Sequence, residues 1–371
     1  MTARRVVAFG GGHGLSASLR ALRHCAPELD LDITAVVTVG DDGGSSGRLR
    51  AERGGLPPGD LRQALVALAG DHPATRRSAG LFQHRFAAVP AGVPPLGEAD
   101  PAPAATDGRK PDPRDQGANS QGPDDHGDGA TVPGAERAST RADGLTGHAV
   151  GNLVLCGLME MLGDPVAALE HAGAMLGTVG RVLPMSRQPV GIEAQVRGVD
   201  PAAPDEVRTV RGQHQVAVTT GRVESLRLTP SAPPACAEVI EAIRAADWLI
   251  FGPGSWYTSV LPHLLVPQLA DAIVSTSARR LVTLNLAAEK ETLGLSVADH
   301  LAALHWYLPE LKVDLVLADA KAVGDPEPVE RAAESLGARL VLAPVAVTGG
   351  TPRHDPAALG AALVPVLGAD R

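Results

Sequence analysis

Six short apolar runs constrain this chain more than any other feature. Val6–Phe9, Ile33–Val39, Trp248–Phe251, Leu281–Leu286, Val313–Leu317 and Leu340–Leu342 read as buried strands. Their near-continuous apolarity is the pattern of strands covered on both faces. Helical periodicity follows most of them, over Leu15–Arg23, Leu61–Ala69, Asn152–Leu162, Ala235–Ala246 and Leu261–Ala272. Strand–helix alternation of this kind predicts an α/β fold in three layers, with a mainly parallel sheet between helices.

Two regions depart from that rhythm. Within 187–230, the segments Ile192–Val196, Gln215–Val218 and Val223–Leu226 alternate apolar with polar residues between turn signals. They predict a small antiparallel β-meander inserted in the α/β body. The stretch 98–144 is rich in Pro, Asp, Gly and Ala, and Val132 is its one large aliphatic residue. Ten acidic against five basic residues make it strongly negative. Such a composition buries too little apolar area to offset ordering entropy and predicts a disordered insertion. The expected organisation is one discontinuous nucleotide-binding domain, 1–97 and 145–345, followed by a C-terminal tail or helix over 346–371.

Composition excludes several classes. No apolar run of the 371 residues reaches the roughly 18 needed for a membrane span. Met1–Arg5 runs straight into the first strand, with no room for a signal peptide. Cys25, Cys156 and Cys236 have neither metal spacing nor a disulfide framework. A cytoplasmic location is the natural expectation. The net charge of −9 argues against a nucleic-acid partner held by bulk charge.

The strand ends carry the chemistry. Val6–Phe9 feeds into Gly10-Gly11-Gly12-His13-Gly14-Leu15-Ser16. Glycines let the backbone turn sharply and approach a ligand, and a helix N-terminus favours an anion. A phosphate site is expected there; a plain strand-to-helix turn is the bland alternative. The second strand leads into Asp41-Asp42-Gly43-Gly44-Ser45-Ser46. The adjacent carboxylates Asp41 and Asp42 suit a divalent metal or a ribose diol, and the Gly/Ser run suits an anion nest; a solvated Asp-Gly turn needs neither. Gly59-Asp60-Leu61-Arg62 follows. Asp60 is placed to cap a helix, and Arg62 opposes the helix dipole unless it meets an anion. His148, Gly151 and Asn152 bracket another helix start, where His148 suits proton donation, phosphate binding or a buried structural role, and Asn152 suits capping or base recognition. Finally, Gly252-Pro253-Gly254-Ser255-Trp256-Tyr257-Thr258 repeats the strand–glycine–helix logic. Trp256 or Tyr257 suits stacking on a ring, or simply the core. Two such loops suit a ligand with two separated recognition points, such as a nucleotide joined to a sugar.

In this order, these motifs resemble the YvcK branch of the YvcK/CofD-like family, also called UPF0052 or gluconeogenesis-factor proteins. The resemblance runs from about Val6 to Asp319, excluding the insertion. It implies a Rossmann-like body with a nucleotide site at the strand ends. It also implies a cytosolic bacterial protein that binds UDP-sugars, notably UDP-N-acetylglucosamine, and is needed for cell shape, peptidoglycan synthesis and growth on gluconeogenic carbon. The CofD branch implies instead a magnesium-dependent transferase that moves a phospholactyl group from a guanosine diphosphate carrier to a deazaflavin alcohol. Where the family usually has Gln then Gly-Glu-Thr after an Asn, this chain reads Asn285-Leu286-Ala287-Ala288-Glu289-Lys290-Glu291-Thr292. His13 likewise replaces the usual threonine. The expected ligand set is the residues above together with Asn285; the catalytic candidates, if there is turnover, are Asp41, Asp42 and His148, with Asp41 and Asp42 as magnesium ligands. Three functions are weighed: a nucleotide-sugar-binding regulator acting on a cell-wall synthesis protein and assembling as a homo-oligomer, a 2-phospho-L-lactate transferase-like enzyme, and an NAD-dependent oxidoreductase.

Overall fold

The computed structural model describes residues 3–90, 140–141, 144–292, 294–349 and 351–369. The chain divides into two compact units, one of Met1–Arg85 with Gly147–Arg371, the other Phe86–Thr146. The smaller unit contains a short antiparallel pair, β3 (Val89–Pro90) with β4 (Thr140–Arg141). Apart from Thr140, Arg141 and Gly144, the stretch 98–144 lies outside the described residues.

The larger unit is built on seven parallel strands. They are β1 (Arg4–Gly10), β2 (Leu31–Val37), β5 (Arg181–Pro184), β9 (Trp248–Phe251), β10 (Arg279–Thr283), β11 (Leu315–Asp319) and β12 (Arg339–Ala343). Their order is β12-β11-β10-β9-β1-β2-β5, and every neighbouring pair is parallel. From β1 the chain first winds one way, through β2 to β5, and later the other way, through β9 to β12. This is the doubly wound order, and the reversal between β1 and β9 opens a crevice at the carboxyl ends of those strands. Phe9 and Phe251 stack across the two central strands with centroids 4.8 Å apart, both fully buried.

Helix α1 (Gly12–Leu29) begins three residues before the apolar pattern does, because Gly12 turns at φ 54° directly after the strand. The C-terminal helix Pro356–Gly368 packs on α1 at close range. Gly360 makes this possible: a Cβ there would lie 3.0 Å from the Ala21 carbonyl oxygen. Cys25 is buried in this contact, its thiol donating to the Gly360 carbonyl at 3.2 Å.

The second sheet is antiparallel, in order β7 (Val207–Arg211), β6 (Gly191–Arg197), β8 (Arg222–Thr229). Its middle chain segment corrects the sequence expectation: Gln213–Val218 is a helix and Val207–Arg211 is the strand. A six-residue window cannot separate one buried helical valine, Val216, from strand alternation. Leu261–Ala272 is likewise not one helix. After a π-turn, Trp256–Val260, it splits into a short helix, Leu261–Leu264, and a helix from Pro267 to Ser275. Pro267 has no N–H to donate, so the chain restarts with proline in the first turn. The strand β5 went unread because Arg181 and Pro184 leave only Val182 and Leu183 as an apolar signal.

Candidate functional site

The site is built from close backbone approach at the crevice. Gly11 is extended and, as a glycine, offers α1 no side-chain cap of its own, and the helix has no acid in its first turn. A Cβ on Gly14 would stand 2.3 Å from the Pro253 oxygen and 2.4 Å from the Gly254 Cα. The two glycine loops therefore touch main chain to main chain, which requires glycine there. The second loop is pinned by Asn285, at the end of β10. Its Oδ1 accepts from the Gly254 N–H and its Nδ2 donates to the Gly254 carbonyl, both at 2.9 Å.

Below the first loop lies α3 (Pro58–Ala67). Asp60 is not its cap; Pro57 occupies that position and Asp60 is the third helical residue. It reaches out of its own helix instead. Its carboxylate sits where a Cβ on Gly11 would be, 2.6 Å away, and takes a hydrogen bond from the Gly12 amide. The Thr38 hydroxyl donates to it at 3.4 Å. Burial above all, and then the Asp41 charge, push Asp60 up to about 7.

Arg62 is buried beside it, and burial lowers its guanidinium to about 10. Its Nε donates to Asn152 Oδ1 at 2.8 Å, and Nη1 bonds the Gln83 side chain. Asn152 in turn donates to Ser45 Oγ at 2.9 Å, and Ser45 meets His148 Nδ1 at 3.0 Å. Three sequence-distant segments are thus joined by one buried relay. Asn152 is not a cap either: helix α5 (Val150–Leu162) is preceded by Ala149, and Asn152 is its third residue. Burial, and the positive charge of Arg48, hold the His148 imidazole below its ordinary range. Gly151 leaves room for Arg62, whose Cδ would be 2.8 Å from a Cβ there.

A cavity of about 1120 Å³ occupies the crevice. From the sequence set, the first loop contributes Gly11, Gly12, His13, Gly14 and Ser16 to its lining, and α3 contributes Asp60 and Arg62. The second loop contributes Pro253, Gly254, Ser255 and Thr258, with Asn285 beside it. Gly10, Leu15, Gly252 and Tyr257 stand behind this lining. Asp41, Asp42, Gly43, Gly44, Ser45, Ser46, Gly59, His148, Gly151 and Asn152 also lie outside it. The two adjacent carboxylates diverge. Asp41 accepts from the Gly43 N–H at 3.0 Å, whereas Asp42 accepts from the His214 N–H at 2.8 Å. Among the described residues no three His, Cys, Asp or Glu side chains converge as a metal cluster.

Sequence reasoning missed Arg20, Arg85 and Arg353, which line the cavity together with Glu289. Four arginines with Arg62 face two carboxylates, Asp60 and Glu289, so the crevice is positive although the chain carries −9. Glu289, the residue that departs from the family pattern, is bonded by the Ser255 hydroxyl. Its neighbour Glu291 is buried, accepts from the Tyr257 N–H at 2.9 Å, and is pushed up to about 7, chiefly by burial. Arg20, Arg85 and Arg353 are single arginines far apart in the sequence, and nothing local in it brings them to one cavity.

The family model for 2-phospho-L-lactate transferase CofD matches residues 6–341. A Mycobacterium tuberculosis relative is 44% identical over 369 residues, 98% of this chain and 91% of its own length. The gluconeogenesis factor of Bacillus subtilis is 32% identical over 338 residues, 91% of this chain and 84% of its own. The crystal structure of a UPF0052-family protein from Bacillus halodurans has a TM-score of 0.72 and 29% identity, covering 98% of this chain and 99% of that one. Matches of this extent place the chain in the CofD/UPF0052 family, among bacterial relatives that carry the name gluconeogenesis factor.

Proposed function

We propose that this protein is a regulator that binds a nucleotide sugar of the UDP-N-acetylglucosamine class. One observation carries the reading: the N-terminus of α1, where Asp60 takes the Gly12 amide and Gly11 supplies no cap, opens beside the second glycine loop into an arginine-lined cavity at the sheet's switch point. The helical N–H groups that follow Gly12, with a favourable dipole, are suited to a diphosphate. Arg62, held rigid by Asn152 and Gln83, is pre-organised to meet it. Asp60 is compatible with an anion overhead because its carboxyl titrates near 7 and can present a proton to a phosphate oxygen. His148, Asn152 and Ser45 stand behind Arg62 as its support rather than as reacting groups. The regulatory role in cell shape and gluconeogenic growth, the cytoplasmic location, a cell-wall synthesis partner and a homo-oligomer belong to the same proposal; the name of the Bacillus subtilis relative supports its metabolic side.

A magnesium-dependent transferase is the second reading, favoured by one feature. Asp41 faces Asp60 closely enough to raise it, so the two carboxylates suit a cation shared with substrate phosphates. Asp41 with Asp60, rather than with Asp42, is the pair whose chemistry fits the ion. Bound there, magnesium would neutralise phosphoryl charge. Thermal shift against UDP-N-acetylglucosamine, GDP with magnesium, and NAD separates the readings. At a hundred times its dissociation constant a ligand adds about 2.7 kcal/mol of stability. A shift with the UDP-sugar, unaltered by magnesium, supports the regulator. A shift only with GDP and magnesium replaces it with the transferase, and a shift with NAD alone replaces it with an oxidoreductase.

A further inference from the structure

The far wall of the cavity comes from a segment beyond residues 6–341, the stretch that the transferase family model matches. After β12 the described residues 345–349 and 351–355 form a strap whose two arms pair with each other. Val347 N–H donates to Arg353 O at 2.9 Å, Asp355 N–H donates to Val345 O at 2.9 Å, and Ala346 bridges His354. The strap is anchored to the sheet by Asp319, the last residue of β11. Its buried carboxylate accepts from the Val345 and Ala346 N–H groups at 2.9 and 3.1 Å. His354 bonds the backbone of Leu284, one residue before Asn285, and its Nε2 is buried without a partner among the described residues. The strap is thus a built element fixed against the second glycine loop's own clamp.

It carries Thr348, Thr351 and Arg353 into the lining. Arg85 donates to the Gly147 carbonyl and Arg62 is held by Asn152 and Gln83, but no described side chain pairs with Arg353 or with Arg20 of α1. These two exposed guanidinium groups come from different elements and face one cavity. Arg20 lies seven residues along α1 from His13, about 10 Å of helix. Arg20 therefore stands apart from the N–H groups at the helix start, on the same cavity.

We propose that the strap is the specificity element of the site: Arg353, with Arg20, receives a second anionic group, carried on the sugar beyond the diphosphate. The inference rests on the nucleotide-sugar reading and refines it: among nucleotide sugars, one that carries an acidic group on the sugar binds more tightly than a neutral one such as UDP-N-acetylglucosamine. Planar guanidinium groups suit a carboxylate or phosphate by paired hydrogen bonds, and lysine in their place would keep charge without that fork.

The test is calorimetric titration with UDP-glucuronate and with UDP-glucose, which differ by one carboxylate. The wild-type protein is expected to bind UDP-glucuronate about tenfold more tightly, the scale of one charge-assisted contact. In Arg353→Gln the ratio is expected to fall towards one, and in Arg353→Lys to recover in part. Circular dichroism confirms that each variant is folded. Equal affinities in the wild type, or a ratio that Arg353→Gln leaves unchanged, would overturn the assignment of the distal anion while the nucleotide-sugar reading stands. Binding of neither sugar would overturn this inference, and binding of neither sugar nor of UDP-N-acetylglucosamine at millimolar concentration would overturn that reading as well.

Discussion

Asp60→Asn is the perturbation whose consequence can be worked furthest. Asp60 is buried under the first glycine loop, and its carboxyl is raised from 3.8 to about 7, first by burial and second by the Asp41 charge. The proton is therefore held more tightly in the folded protein than in the unfolded chain. A carboxyl raised in this way stabilises the fold fully below its unfolded value near 4. That contribution is lost progressively as pH rises, and is gone above about 7. At 1.36 kcal/mol per pH unit, the rise to about 7 corresponds to a ceiling of about 4 kcal/mol between acid and neutral conditions. The Thr38 hydroxyl and Gly12 amide bonds are retained by an asparagine oxygen, whose NH₂ can also face Asp41. Asn cannot ionise, so the variant is expected to be more stable than wild type at pH 8 by roughly 1–3 kcal/mol and nearly equal at pH 5. Urea unfolding at both pH values measures this. An Asp60→Asn difference that is the same at pH 5 and pH 8 would refute the argument that a buried, like-charged carboxylate sits there.

Other outcomes follow from the same geometry. Arg62→Ala removes the cation that Asn152 and Gln83 orient and is expected to cost about 2–4 kcal/mol in urea unfolding, with Arg62→Lys failing to restore ligand affinity because it cannot make both bonds. Gly360→Val is expected to destabilise by about 1–3 kcal/mol, since its side chain must displace the Ala21 backbone or the His24 side chain, each 3.0 Å from a Cβ there; an unchanged melting temperature would contradict the close α1 contact.

What the sequence disclosed follows from the kind of signal each element leaves. The strands Val6–Phe9 and Trp248–Phe251 were legible because central parallel strands are apolar on both faces, and their ends were marked by glycines that the backbone contact at Gly14 requires. Asp60 and Arg62 were visible as chemistry, but the role of Asp60 was misread. Capping is a local rule, whereas its partner, the Gly12 amide, is 48 positions away. The divergence of Asp41 and Asp42 was similarly hidden, because adjacency in sequence does not aim side chains at one point; their partners lie in a turn and in the helix Gln213–Val218. The strap bearing Arg353 was legible only as part of a C-terminal tail over 346–371. Its position depends on Asp319, which sequence alone presents as the polar end of an apolar strand.

The central claim is that two glycine loops in backbone contact hold a nucleotide sugar. Calorimetric titration of UDP-N-acetylglucosamine into wild type and Gly14→Ala tests it most directly. A methyl group on Gly14 must push the Pro253–Gly254 main chain away, because it would stand 2.3 Å from the Pro253 oxygen. The account predicts saturable one-site binding to the wild type, independent of magnesium, and a loss of about tenfold or more in the folded variant. Absence of binding by the wild type, or an affinity that Gly14→Ala leaves intact, would contradict it.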